Sequence, residues 1–513
     1  MKQLFILIFL IVFFISCGTG FQKEKESNDT IGEANIITVS KAVKGYIQSA
    51  TDTDFYKLQV DTESTCEINL SAVKGVNLAI KVWSGESTPL VVKFIDDTRK
   101  SSPEHMANLH LKPGTYYFQV LHGVRDKKKK NTETPYILKL KTQISAEEEK
   151  EPNDVANDAT KLQVGSEIKG FFSPAYNHNN YSKSGKLIEE DWYVLDVKLE
   201  DGNAKLLSVN LSGVVGINST ISLYDNNNNL IKVVDGNPAG GDESIKAIGI
   251  VKDTTFFIKV NGKGYNSNNI TPYYLSATLI DYDPTMEMEP NNTFERSNEM
   301  KGSLVKGQLN DPGDSDLFLK KTENEGYYTI RVSAPENCDI MFVIYSKTMK
   351  KLFQVNNGRK NVSEILPNFY LNGPVYIRVK SKNSVEKNDG IYELTIEKND
   401  ISGLYDLEPN DSIQKAVLVR SKVIKGYTSY KKDKDFYFIK SESRGKKIVN
   451  ITAPKNGSIV VSLTDPFGNT MQSITVSQGK SVILDEMFDM KNYILVESKS
   501  EDYENHYILN FGE

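Results

Sequence analysis

The sequence predicts an all-β chain of four tandem antiparallel β-sandwich domains, jelly-roll-like in their strand number. Three observations carry that expectation. Two linked acidic motifs recur four times in the same order, apolar residues alternate with period two between them, and no apolar stripe of three helical turns follows residue 17. Alternation sends successive side chains to opposite faces of a sheet, one buried and one wet. Roughly eight short strands per interval, with no helices to cover a parallel sheet, predict sandwiches.

Length and charge agree with several ordinary globular units. The chain has 513 residues, 62 Lys+Arg against 67 Asp+Glu and a net charge of −5, which asks for about three to five domains and gives no basic face for nucleic acid. Only 5 histidines are present, which weighs against zinc enzymes and most hydrolases.

At the N-terminus, Lys2 precedes an apolar run from Leu4 to Ile15. These twelve residues would cover only about 18 Å of a bilayer core near 30 Å, so they read as a secretory signal over residues 1–17. The run ends at Phe14-Ile15-Ser16-Cys17-Gly18, which resembles the lipobox of bacterial lipoproteins although Phe14 stands where Leu is usual. That resemblance implies lipidation at Cys17 and a bacterial envelope protein anchored to a membrane, at the outer membrane or cell surface rather than the inner membrane. An ordinary signal peptide with an incidental cysteine is the alternative. The remaining cysteines, Cys66 and Cys338, lie 272 positions apart and are expected as free, buried, small hydrophobes.

The first motif is acidic-x-Glu-[Pro/Ser]-Asn-[Asp/Asn]. It occurs as Glu24 to Asp29, Glu149 to Asp154, Glu287 to Asn292 and Asp406 to Asp411. Its second acids, Glu26, Glu151, Glu289 and Glu408, are spaced by 125, 138 and 119 residues, each the size of a domain. An apolar-Lys-Gly turn and an Asp-x-Asp-type motif follow each copy. The pairs are Gly45 with Asp52-Thr53-Asp54, Gly170 with Glu189-Glu190-Asp191, Gly307 with Asp314-Ser315-Asp316, and Gly426 with Asp433-Lys434-Asp435. The expected domains are therefore 23–145, 146–283, 284–400 and 401–513. Runs such as Tyr116-Tyr117-Phe118-Gln119-Val120 and Tyr136-Ile137-Leu138-Lys139-Leu140 supply strands, and Lys112-Pro113-Gly114-Thr115 and Asp225-Asn226-Asn227-Asn228-Asn229 supply turns.

This order of motifs, closed by Pro113-Gly114-Thr115-Tyr116-Tyr117, resembles the bacterial pre-peptidase C-terminal domain, a β-sandwich family that includes the collagen-binding domains of clostridial collagenases. The resemblance covers nearly the whole mature chain, four times over. It weakens in the third and fourth copies, where the last element is Asn372-Gly373-Pro374-Val375-Tyr376 or only Met490-Lys491-Asn492-Tyr493. The protease that such a domain usually follows is absent from this sequence.

The acidic motifs suit a hard cation, since calcium takes six to eight oxygen ligands. If the arrangement of the collagen-binding relatives carries over, the first ligand set is Glu24, Glu26, Asn28, Asp29, Asp52 and Asp54, and the second is Glu149, Glu151, Asn153, Asp154, Glu189 and Asp191. The third is Glu287, Glu289, Asn291, Asp314 and Asp316, weakened by neutral Asn292, and the fourth is Asp406, Glu408, Asn410, Asp411, Asp433 and Asp435. The same residues also make good domain-opening turns, with Pro fixing φ and Asn or Asp bonding back to the backbone. Both readings stand at this stage.

Catalysis is not expected. Gly313-Asp314-Ser315-Asp316-Leu317 resembles an esterase nucleophile motif, yet Ser315 aligns with Thr53, Glu190 and Lys434, and only His506 follows it. His105, His110 and His122 have no metal-ligand spacing, and Asp126 to Lys130 form a basic loop tip. The expected function is a lipid-anchored binding protein for an extracellular protein or polysaccharide ligand. The alternative is an accessory subunit that holds a secreted protease or another envelope partner. Repeated weak sites favour the first through effective concentration.

Overall fold

The computed structural model describes residues 20–513 apart from 97–99, 124–129, 145–146, 174–189, 264–266, 323, 384–387, 401–405, 429–432, 490, 500–504 and 513. Among the described residues the regular elements are strands and four three-residue 3-10 turns. None is a helix long and apolar enough to cross a membrane. The expected lipidation site Cys17, the acid Glu189 and most of the 126–130 loop lie outside the described residues.

The first sandwich shows how the alternating runs become two sheets. Its strands are β1 (Gln22–Lys23), β2 (Asn35–Ile36), β3 (Val43–Ile47), β4 (Asp54–Val60), β5 (Ser64–Leu70), β6 (Leu78–Ser84), β7 (Leu90–Ile95), β8 (Glu104–Leu111), β9 (Gly114–His122) and β10 (Asn131–Gln143). They are ordered β1-β3-β10-β5-β8 in one sheet and β2-β4-β9-β6-β7 in the other. Without the short β1 and β2, this is an eight-stranded antiparallel jelly roll. Inward residues of both sheets, such as Ile68, Met106 and Leu138 from one and Tyr56, Ile80 and Phe118 from the other, meet in a single core.

The same pairing order recurs for strands within 160–281, 298–398 and 417–511. Separate cores form around Phe342 and Leu366 in the third repeat and around Val461 and Phe488 in the fourth. The all-β tandem-sandwich expectation therefore holds. Cys66 and Cys338 are buried, neither in a disulfide, and each is packed in its own core. By internal contacts the chain divides into two compact units, one of Met1–Lys246 with Ile250–Ile280, the other of Ala247–Gly249 with Asp281–Glu513.

The outer strand of a sandwich differs between repeats. The pairing of β8 with β5 shifts register between Cys66 and Ile68, and the equivalent strand Glu364–Leu371 shifts between Tyr328 and Ile330. Each shift is a β-bulge that turns backbone groups outward. In the fourth repeat Ser481–Phe488 pairs with Gly445–Thr452 residue for residue, without a bulge.

Candidate metal centres

Each acidic motif lies on a crossing between sheets. β1 runs parallel to β3 at the edge of one sheet, and β2 runs parallel to β4 at the edge of the other. Residues 24–34 therefore span the flank of the sandwich, and their acids arrive beside the start of β4, where Asp52 and Asp54 sit. One backbone bond fixes the meeting in all four copies, with the motif asparagine carbonyl accepting from the residue after the second Asp-x-Asp acid. The bonds are Phe55 N–H to Asn28 (2.9 Å), Trp192 to Asn153 (3.0 Å), Leu317 to Asn291 (3.2 Å) and Phe436 to Asn410 (3.1 Å). All four asparagines are fully buried. The peptide after the second motif acid is cis in every copy, at Glu26-Ser27, Glu151-Pro152, Glu289-Pro290 and Glu408-Pro409.

The crossings gather carboxylates. Glu24, Glu26 and Asp54 form one cluster, Glu149, Glu151 and Asp191 a second, Glu289, Asp314 and Asp316 a third, and Asp406, Glu408 and Asp435 a fourth. Within each, one ligand atom per residue lies within 4.8 Å of the others. The first motif acid is held by the amide that follows the Lys-Gly turn. Glu24 accepts from Tyr46 N–H at 2.8 Å, Glu149 from Phe171 at 2.7 Å, Glu287 from Gln308 at 2.7 Å and Asp406 from Tyr427 at 3.1 Å.

Beneath the carboxylates lie tyrosines of the last strands, which the acidic motifs did not include. The hydroxyl of Tyr136 donates to Asp54 (2.5 Å), Tyr273 to Asp191 (2.6 Å), Tyr392 to Asp316 (2.5 Å) and Tyr507 to Asp435 (2.7 Å). In three copies a second buried tyrosine, Tyr56, Tyr193 or Tyr437, is bonded to the first, hydroxyl to hydroxyl. In the third copy Phe318 stands there instead, edge-on to Tyr392 with ring centroids 6.4 Å apart. These rings explain the invariant turn glycine. A Cβ at Gly45 or Gly170 would overlap the tyrosine of the last strand and the first motif acid, and at Gly426 it would overlap both tyrosines.

Burial dominates the electrostatics. It pushes Glu24 up to about 7 and Asp54 to about 8, with Glu149 and Glu287 also near about 8 and Asp406 near about 6, and neighbouring carboxylates add to the rise. Asp316, Glu408 and Asp435 are raised by the same causes. Converging carboxylates out of water cannot all stay ionised unless positive charge joins them. Among the described residues several buried oxygens also have no hydrogen-bond partner: Glu151 Oε1 and Asn153 Oδ1 in the second copy, Asp316 Oδ1 in the third, and Glu408 Oε1, Asn410 Oδ1 and Asp435 Oδ1 in the fourth. Orphaned acceptors in a carboxylate cluster are what a cation satisfies. These centres could hold a metal ion, and among the described residues their donors are oxygen.

The other expected ligands divide by direction. Asp52, Glu287 and Asp433 are buried beside their clusters, whereas Asp29, Asp154 and Asn292 are exposed and Asp411 is half-buried. The last motif position thus lies outside the clustered carboxylates in all four copies, and Asn292 stands at an exposed place in the third. Asp29 instead accepts from Thr53 N–H at 3.3 Å. Ser315 opens its strand with its amide donating to Asp314 at 3.0 Å, and His110 contacts Glu63 at 2.9 Å.

In the first unit, the preceding sandwich helps to build the second centre. Lys93 on β7 bonds Glu151 Oε2 at 2.7 Å, and Asn108 on β8 donates to Glu149 at 2.5 Å. Glu151 also pairs with the β8 bulge through Glu151 N–H to Asn108 O (3.2 Å) and His110 N–H to Glu151 O (2.7 Å). In the second unit Glu408 repeats the backbone part, with its N–H to Asn368 O at 3.0 Å and its carbonyl accepting from Tyr370 N–H at 3.1 Å.

No protein-family model matches the chain, and no curated protein matches it. Among solved structures, the pre-peptidase C-terminal domain of a Bacillus anthracis collagenase is similar at 17% identity, covering 23% of this chain and 93% of that one, with a TM-score of 0.17. A triple jelly-roll protein of an archaeal virus is similar at 10% identity, covering 67% of this chain and 81% of that one, with a TM-score of 0.17. The BSP domain of a biofilm-associated protein is similar at 8% identity, covering 90% of this chain and 94% of that one, with a TM-score of 0.14.

Proposed function

We propose that this chain is a non-catalytic, calcium-stabilised binding protein of the bacterial envelope, tethered through lipid on Cys17 and displaying tandem sandwiches to an extracellular protein or polysaccharide. The observation that carries the calcium reading is the set of buried, partnerless oxygens inside carboxylate clusters, such as Glu408 Oε1, Asn410 Oδ1 and Asp435 Oδ1. Among the described residues the donors are carboxylates and an amide oxygen, with no imidazole or thiolate, which is a hard set. That set favours calcium over zinc or copper. Glu151, Asn153 and Asp191 would hold the ion in the second sandwich, and Asp406, Glu408, Asn410 and Asp435 in the fourth. The ion would supply the positive charge that lets the crossing segment lie against the strand start.

Calorimetric titration of calcium into the full chain tests this reading, with Asp435→Asn as the variant. Heat in the wild type that falls by one site in the variant supports it; no heat in either leaves the motifs as turns. Metabolic labelling with a fatty acid, lost on Cys17→Ser, tests the anchor. Binding of the chain to a panel of matrix proteins and glycans, with and without chelator, tests the ligand class. Co-purification of a protease with no binding to that panel would favour an accessory role.

A further inference from the structure

The second and fourth clusters have the same carboxylate geometry, yet their charge surroundings differ. Lys93 lies on the first sandwich with its side chain only 7% exposed, and it contacts Glu151, whose side chain is fully buried, at 2.7 Å. Its ammonium also comes within 4.0 Å of Asp154. Strand register puts Lys93 two residues before Ile95, which faces Ile80, and puts Phe353 two residues before Val355, which faces Phe342. Phe353 therefore holds the place of Lys93 in the sandwich before the fourth cluster, where it packs on Phe369 with centroids 5.6 Å apart. Among the described residues, the Glu408 side chain accepts from Asn410 N–H at 3.2 Å, and the leading charges acting on it are the carboxylates of Asp433, Asp406 and Asp411.

We propose that Lys93 is a built-in counter-ion for the second centre, so that this centre takes up a divalent cation more weakly than the fourth and stays assembled at low cation concentration. This rests on the cation reading of the clusters. A buried ammonium against Glu151 already neutralises part of the negative charge that draws a metal in. An incoming cation must then approach a positive charge across one carboxylate, in surroundings that screen poorly. Glu151 Oε1 is buried and, among the described residues, without a hydrogen-bond partner, so the glutamate that Lys93 holds by Oε2 keeps a second oxygen for the ion. The lysine therefore tunes the centre without closing it. The same contact ties the first sandwich to the second through a side chain, which the Phe353 position cannot do. The first junction thus has a charge-pair lock that needs no ion.

Calcium titration of the full chain by calorimetry, repeated for Lys93→Met, Lys93→Gln and Lys93→Arg, tests the proposal. The expected result is one weak site in the wild type that tightens by about tenfold or more in Lys93→Met and Lys93→Gln, because removing a nearby like charge stabilises the bound ion. It should stay weak in Lys93→Arg, and the tightening should vanish when Glu151→Gln is added. Isotherms of Lys93→Met and Lys93→Gln that superimpose on the wild type, with Asp435→Asn still deleting a site, would overturn the role of Lys93 while leaving the cation reading intact. Absence of calcium heat from every variant would overturn both. Should Lys93→Met fail to fold, shown by lost circular dichroism, Lys93→Gln keeps a hydrogen-bond donor at the site and decides the outcome.

Discussion

Tyr136 and Asp54, 82 positions apart in sequence, meet through a 2.5 Å hydrogen bond at the floor of the first acidic cluster. The same bond joins Tyr273 to Asp191, Tyr392 to Asp316 and Tyr507 to Asp435. It ties the last strand of each sandwich to the start of its second long strand, directly under the crossing segment. The phenol therefore couples closure of the β-sandwich to assembly of the carboxylates.

Removing that hydroxyl should loosen the fold. Tyr507→Phe leaves the Asp435 oxygen without its donor in a fully buried place, which costs about 1–3 kcal/mol. Urea unfolding in chelator is expected to show the loss as a lower midpoint with an unchanged slope. Saturating calcium should reduce the difference, because the ion would supply Asp435 with a second partner. A midpoint unmoved in chelator would show that the bond contributes nothing.

The turn glycine should tolerate no side chain. At Gly170 a Cβ would meet the Tyr273 ring and hydroxyl and the Glu149 carboxylate, none of which can retreat from a filled core. Gly170→Ala is expected to cost about 1–3 kcal/mol through overpacking. Gly445→Ala, where nothing lies within 4 Å, is the control and should leave stability unchanged. Thermal unfolding of both variants compares them directly.

Stability without a cation should rise on acidification. Glu149 and Asp54 have folded values near about 8, against 4.5 and 3.8 as ordinary values, so between pH 4 and pH 8 the folded chain holds more protons than the unfolded one. The slope of unfolding free energy with pH is then negative, and this contribution is complete below the unfolded values and lost as pH rises through about 8. Melting scans in chelator across that range should therefore show falling melting temperatures toward pH 8. Bound calcium displaces the protons and should flatten or reverse the trend. Calcium titrations in buffers of different ionisation enthalpy would register the released protons as a buffer-dependent heat.

Much of this was legible in the sequence, for physical reasons that also explain what was not. Alternation in Phe55 to Val60 and the repeated Asp-x-Asp motif marked strands and their starts, because burial with period two leaves a direct trace. Glu24, Glu26 and Asp54 could be grouped because linked motifs recur in a fixed order. Tyr136 was visible only as a strand residue, since its partner Asp54 lies 82 positions away in sequence. A recurring tyrosine at the start of each final run, beside a recurring glycine in the Lys-Gly turn, was the available signal. Lys93 left no trace at all, because its role depends on a neighbouring sandwich placing Glu151 against β7.

The outward acids give the last test, since they separate the motif as a turn from the motif as a ligand set. Asp29 and Asp154 are exposed, and the third copy has Asn292 at the same place, so the charge there sits at the wet rim of the centre, from which Asp29 acts on Glu26 and Asp52 without being one of the clustered carboxylates. Asp29→Asn should change calcium affinity by about twofold at most, the size of a solvent-screened single charge, and half-buried Asp411→Asn, whose carboxylate acts on Glu408, should weaken its site more without deleting it. Asp54→Asn and Asp435→Asn remove a buried donor that is also fixed by a tyrosine, and each should delete one site. Counting sites by calorimetry in the four variants distinguishes these outcomes. A site lost with Asp29→Asn would mean that the crossing segment rotates its last acid inward when the ion binds, and that the turn and the ligand set are one device.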